Sequence, residues 1–131
     1  MGPVTFRRMA RPAAVALLLC DSASVDAAGK VTLAGLVDVV WAPRFPAVHA
    51  ELTVFWKCRF PSAGEAWITI EAPSGRTVVT TRPIKAAAGG VAQEIHRLVD
   101  LELPTAGTYW VQLVDGTGPL AETPLEVRAS G

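Results

Sequence analysis

The sequence predicts an all-β fold, a two-sheet antiparallel β-sandwich of about seven to nine short strands in one domain. Three observations carry that expectation. His49 to Phe60, HAELTVFWKCRF, alternates with period two: Ala50, Leu52, Val54, Trp56, Cys58 and Phe60 fall on one face, and His49, Glu51, Thr53, Phe55, Lys57 and Arg59 on the other. Such alternation fits a half-buried strand and not a helix. Turn signals built from Gly, Pro, Asp and Ser divide the rest of the chain at short intervals, and no internal repeat or long helical pattern interrupts them.

The elements follow in order. Ala13 to Cys20, AAVALLLC, reads as a first buried strand. Arg7, Arg8 and Arg11 precede it and small residues follow, so a secretory or lipoprotein signal ending near Cys20 stands as the alternative. The run is shorter than the roughly 20 residues that span a bilayer, and Leu19 occupies the position where a lipoprotein signal holds a small residue. Asp26 to Lys30 turns the chain into a second strand, Val31 to Trp41, in which Val31, Leu33, Val37, Val39 and Trp41 share the apolar parity and Gly35 marks a bulge or close approach. That parity places Trp41 and Trp56 in the core.

Ala42-Pro43-Arg44-Phe45-Pro46 lacks two backbone donors and reads as a connection across an edge or between sheets. After the alternating strand, Pro61 to Gly64 is a turn. Glu65 to Ala72 and Arg76 to Arg82 then form a hairpin about Pro73-Ser74-Gly75, with Ala66, Ile68 and Ile70 inward and Trp67 outward. Ala86 to Gly90 is a loop. Val91 to Leu103 is a weaker strand, with Val91, Ile95, Val99, Leu101 and Leu103 on the apolar parity and Gln93 and Arg97 breaking it. Pro104 to Thr108 leads into Tyr109 to Asp115, and Gly116 to Pro119 turns into a last strand ending near Arg128. The Gly107-x-Tyr109 opening matches the tyrosine corner of immunoglobulin-like sandwiches. Residues 1–12 form an N-terminal extension, 13–128 the sandwich and 129–131 a tail.

At 131 residues, half of them apolar, the chain can bury a core without disulfides or metals. Twelve basic residues balance 12 acidic ones, which excludes a broad field for nucleic acid or an anionic membrane. Cys20 and Cys58 lack metal-ligand spacing and read as buried free thiols in a reduced compartment, the cytoplasm; a bridge between them stays open if the chain is exported. No cofactor is expected.

The segments ALLLCDSASVD, GKVTLAGLVDVVWAPRFPAVHAELTVFWKCRF and LPTAGTYWVQLVDG, with the closing PLEVR, resemble a family of small bacterial proteins catalogued as a domain of unknown function. The resemblance runs from about Ala13 to Arg128. It implies a bacterial, cytoplasmic β-sandwich not cleaved at Cys20, and it implies no activity.

Chemistry is sparse. His49 beside Glu51 and His96 beside Glu94 each project with a carboxylate from one strand face, enough for a small metal-dependent or hydrolytic enzyme only if a third group such as Asp100 or Glu102 converges. Asp21, Asp26, Asp38 and Asp100 suit turns and edges. No Gly-x-Ser-x-Gly and no phosphate loop is present. The aromatics offer more: Phe55, Trp67 and Trp110 fall on polar parities and, with Lys57, Arg59 and Gln112, outline a contact surface if one sheet carries them. Protein contact, as subunit, adaptor or homo-oligomer, is the leading expectation; carbohydrate binding on Trp67 and Trp110 is the alternative, and loops covering these aromatics would remove both.

Overall fold

A computed structural model describes residues 11–130; ten of the twelve residues of the expected N-terminal extension, and Gly131 of the expected tail, lie outside them. Ten strands are present: β1 (Ala13–Val25), β2 (Val31–Leu36), β3 (Val39–Ala42), β4 (Ala47–Phe60), β5 (Gly64–Glu71), β6 (Thr77–Thr80), β7 (Ile84–Ala86), β8 (Gly90–Leu103), β9 (Gly107–Asp115) and β10 (Gly118–Ala129). They form a four-stranded sheet, order β2-β1-β4-β8, and a six-stranded sheet in which β3-β10-β9-β5-β6 are joined by β7 beside β5. Every pairing is antiparallel except β3 with β10.

The inner faces meet in one core. Leu52, Val54, Trp56, Cys58 and Phe60 of β4 pack with Leu19 of β1 against Ala66, Ile68 and Ile70 of β5, Tyr109, Val111 and Leu113 of β9 and Leu125 and Val127 of β10. The alternation of β4 therefore does what its pattern predicts from Leu52 onward. Tyr109 forms the tyrosine corner: its hydroxyl donates to Thr105 O at 2.7 Å and accepts from Thr105 N at 3.2 Å. Gly107, two residues earlier, has φ 134° and lies so close to Pro73 that an added Cβ would stand 2.7 Å from the proline ring. Only glycine meets both demands. The sandwich is immunoglobulin-like in this corner and in its two packed sheets.

Two sequence expectations are corrected. Val31 to Trp41 is two strands, because at Val37 and Asp38 the chain leaves the four-stranded sheet for the six-stranded one, and the inward parity restarts. Val40 and Ala42 are then buried, while Trp41 is 59% exposed instead of belonging to the core. Gly35, before the crossing, has φ 70° and faces the Asp21 carboxylate where a side chain would sit, which is the close approach its position suggested.

The second correction concerns β8 and the start of β4. Asp100 adopts the left-handed conformation, φ 55°, a region that aspartate tolerates better than most residues. The inward parity changes there: Ala92 and Leu98 pack on the core before it, Leu101 and Leu103 are buried after it, and Val91 and Val99 point to solvent. On the paired strand Ala50 is exposed and Ala47 packs inward. A single alternation run across either strand could not contain that switch.

The cysteines are buried free thiols as expected, and the bridge left open between them is excluded. Cys20 opposes Thr53 in the β1–β4 ladder and Cys58 opposes Ala14, so they stand about 17 Å apart along the strands and on opposite faces of one sheet. A disulfide needs Cα atoms within about 7 Å. Both thiols are free and buried, and burial together with the nearby Asp115 pushes Cys58 up to about 11.

Candidate interaction face

The two sheets treat their outer faces differently. On the four-stranded sheet the β1–β2 hairpin continues past its pairing with β4 and folds back across it. Thr53 Oγ1 donates to Asp21 O at 3.4 Å, and Gln93 Nε2 of β8 donates to Gly29 O at the hairpin tip at 3.4 Å. Asp26 holds that tip, its Oδ1 accepting from Ala28 N and Lys30 N at 2.9 Å each. Val25 and Val31 line a shallow cleft of about 200 Å³ with Gln93, Glu94 and Ile95. Beneath the hairpin Thr53, Cys20 and Phe55 are buried. Phe55 does point outward, between Leu18 and Ile95 on the neighbouring strands, yet only 8% of it reaches solvent. Lys57 is half-buried and Arg59 exposed on that same face.

Among the described residues the six-stranded sheet has no such cover. Since Ile68 and Ile70, Val111 and Leu113, Leu125 and Val127, and Val40 point inward, the outward positions are Trp67, Thr69 and Glu71 on β5, Thr108, Trp110 and Gln112 on β9, Glu122, Pro124, Glu126 and Arg128 on β10, and Trp41 on β3. Phe55, Lys57 and Arg59 are thereby separated from Trp67, Trp110 and Gln112, which share this second sheet, and Trp41 joins the latter group. Sequence reasoning missed Trp41 because its parity was counted through a sheet crossing. Its only signal was its place just before Ala42-Pro43, where the second strand had to end.

Register fixes the geometry. Trp110 opposes Glu71 on one side and Pro124 on the other; Trp67 opposes Val114, four positions away and about 14 Å along the strands. Side chains tie the row between them and the row beyond Trp110 together: Thr69 Oγ1 donates to Gln112 Oε1 at 3.3 Å, Gln112 Nε2 to Glu122 Oε2 at 3.0 Å, and, beyond, Thr108 Oγ1 to Glu126 Oε1 at 2.6 Å. Trp41 opposes Arg128, whose guanidinium lies 5.6 Å from the ring centroid, a cation–π distance. Trp110 is 40% exposed. Trp67 is half-buried beside a cleft of about 210 Å³ that it lines with Arg11, Glu65 and Asp115.

The histidines do not assemble a site. His96 sits on the inner side of β8, not the polar side its parity suggested, and its Nε2 accepts from Trp56 Nε1 at 2.9 Å with the two rings stacked. An indole N–H only donates, so the facing nitrogen must be unprotonated and the imidazole neutral with its proton on Nδ1. Burial lowers the His96 pKa, partly opposed by Glu94. Because the folded value is then below the unfolded one, the contribution to stability is complete above the unfolded value near 6.5 and is lost as pH falls through the folded value. Urea midpoints should therefore drop between pH 7 and pH 5, and His96→Gln, which keeps an acceptor but cannot titrate, should flatten that slope; an unchanged slope in the variant would refute the assignment. Glu51, expected beside His49, instead accepts from Arg97 Nη2 at 2.9 Å, and that bond holds its carboxyl below the usual range. Among the described residues no group of three His, Cys, Asp or Glu side chains is placed to hold a metal, and no helix is long and apolar enough to cross a membrane.

Solved structures share the fold at low identity. Part of a Pseudomonas fluorescens alkylpurine DNA glycosylase, solved bound to DNA containing an abasic site analogue, superposes with a TM-score of 0.58 at 10% identity, over 96% of this chain and 33% of that one. A β-D-glucoside glucohydrolase from Trichoderma reesei gives 0.51 at 11% identity, over 89% of this chain and 19% of that one. The chain thus spans about a third and a fifth of these proteins. An immunoglobulin-like protein from Pseudomonas aeruginosa gives 0.48 at 11% identity, over 92% of this chain and 98% of that one. No curated protein matches the chain. A family model matches residues 15–128, from within β1 to the last residue but one of β10, and the chain belongs to the Family of unknown function (DUF6941).

Proposed function

We propose that this protein is a non-catalytic β-sandwich that works by binding another protein through the outer face of its six-stranded sheet, with Trp110 and Trp41 as anchors. One observation carries the reading: a hairpin covers Phe55 on one sheet, while among the described residues nothing folds over two tryptophans on the other, Trp41 at 59% and Trp110 at 40% exposure. Tryptophan concentrates burial energy and is enriched at binding hot spots, so an uncovered pair on a sheet face favours a partner surface over ordinary exposure. The engagement of His96 with Trp56 supports the non-catalytic part. The polar groups that would have to receive sugar hydroxyls, Thr69, Gln112 and Glu122, already bond one another, which weighs against carbohydrate binding.

We also propose a cytoplasmic location, in support of which stands the position of the candidate signal segment. Ala13 to Cys20 lies in β1, between β2 and β4, so cleavage at Cys20 would remove most of a central strand. A photo-crosslinking residue in place of Gln112 should capture a partner in cells of the source organism, whereas the same residue in place of Arg59, on the outer face of the other sheet, should not. Capture lost on adding Trp110→Ala would tie it to the tryptophan. Equal capture from both positions, or none from Gln112, would sink the proposal.

A further inference from the structure

The uncovered face carries charge as well as tryptophan, and the charge is of one sign around Trp110. Glu71 lies directly across from the ring on β5, with Cβ atoms about 5 Å apart; Glu122 and Glu126 flank Pro124 on β10, about 7–8 Å away on the diagonals. Gln112 and Thr108 hold one oxygen of Glu122 and of Glu126 by hydrogen bonds, which fixes both carboxylates in the rows flanking that of the ring and leaves the second oxygen of each for another donor. The cations nearest in sequence and pairing lie elsewhere. Arg128 stands beside the exposed Trp41 ring, Lys85 opposes Glu65 at the far end of β5, and Arg76 lines a cleft with Pro46, Glu102 and Leu103.

Resting on the contact reading above, we infer that the partner is a protein presenting an arginine- or lysine-bearing extended segment, whose cation lies on Trp110 among Glu71, Glu122 and Glu126. The face already contains one example of this chemistry, the Arg128 guanidinium over Trp41; at Trp110 the aromatic platform and its acidic surround are present, and the cation comes from the partner. An exposed indole attracts a cation through its ring quadrupole, and fixed carboxylates add hydrogen bonds to it. Charge complementarity also selects against other occupants. A second copy docked through this face about a twofold axis would bring its own Glu71, Glu122 and Glu126 against these, and nucleic-acid phosphate would meet the same repulsion.

The test titrates the full-length protein with four synthetic peptides, Gly-X-Ser-X-Ser-X-Gly with X as arginine, lysine, norleucine or glutamate, following the tryptophan indole N–H resonances. The arginine and lysine peptides should move the Trp110 indole, with affinity that falls as salt rises. Trp110→Phe identifies that resonance, and Glu122→Gln with Glu126→Gln should weaken binding at least about tenfold while the other resonances show the fold intact. Equal binding of the norleucine peptide would overturn the cationic assignment yet leave the contact face standing. Absence of any peptide shift at Trp110 would also overturn it, and failure of the contact reading itself would show separately, as loss of crosslinking from Gln112. Self-association that depends on Trp110, seen by light scattering, would replace the basic partner with a second copy.

Discussion

Trp56→Ala is expected to cost about 3–5 kcal/mol, the range for removing a large aromatic from a packed core. Trp56 is fully buried at the middle of β4, the strand that pairs with both β1 and β8, and its indole N–H is bonded to His96. The variant removes the largest side chain of the core, leaves a cavity between the sheets and strips a half-buried imidazole of its partner. Set against the 5–15 kcal/mol by which domains are stable, that loss should bring the urea midpoint down by about a fifth or more. A loss under about 1 kcal/mol would mean that β4 is not the centre of the core.

Trp41→Ala with Trp110→Ala should do the reverse. Both rings stand on an outer face, so together they should cost less than about 1 kcal/mol of stability, chiefly through cross-strand contact with Arg128, Glu71 and Pro124. Partner binding should fall by about 2–4 kcal/mol, which is roughly 30-fold or more. The two effects separate a contact face from a structural one. Unfolding of the double variant, or binding at full strength, would contradict the reading.

Much of the fold was legible in the sequence because alternation and turn chemistry act locally. The β4 pattern from Leu52, the β5 alternation, the proline-marked connection from β3 to β4 and the Gly107-x-Tyr109 corner each depend on residues near one another in the chain. What could not be read was set by longer-range events. Trp41 changed faces because the strand before it ended in one sheet and resumed in the other. His96 changed sides because Asp100 shifts the parity of β8, which a count carried back from Leu101 and Leu103 misses. Phe55 kept its outward direction but lost its exposure, since alternation assigns a face and says nothing of a hairpin folding over it. For the candidate surface, Trp67, Trp110 and Gln112 could be grouped on one sheet only once β5 and β9 were known to be neighbours.

Hydroxyl-radical labelling of the tryptophans, performed on the purified protein and inside cells that contain its partner, tests the central claim most directly. The expected result is that Trp41 and Trp110 oxidise readily in the purified protein and are protected in cells, while Trp56 is protected in both. Equal oxidation of Trp41 and Trp110 in the two settings would contradict it, because the outer face of the six-stranded sheet would then stay bare where the protein works.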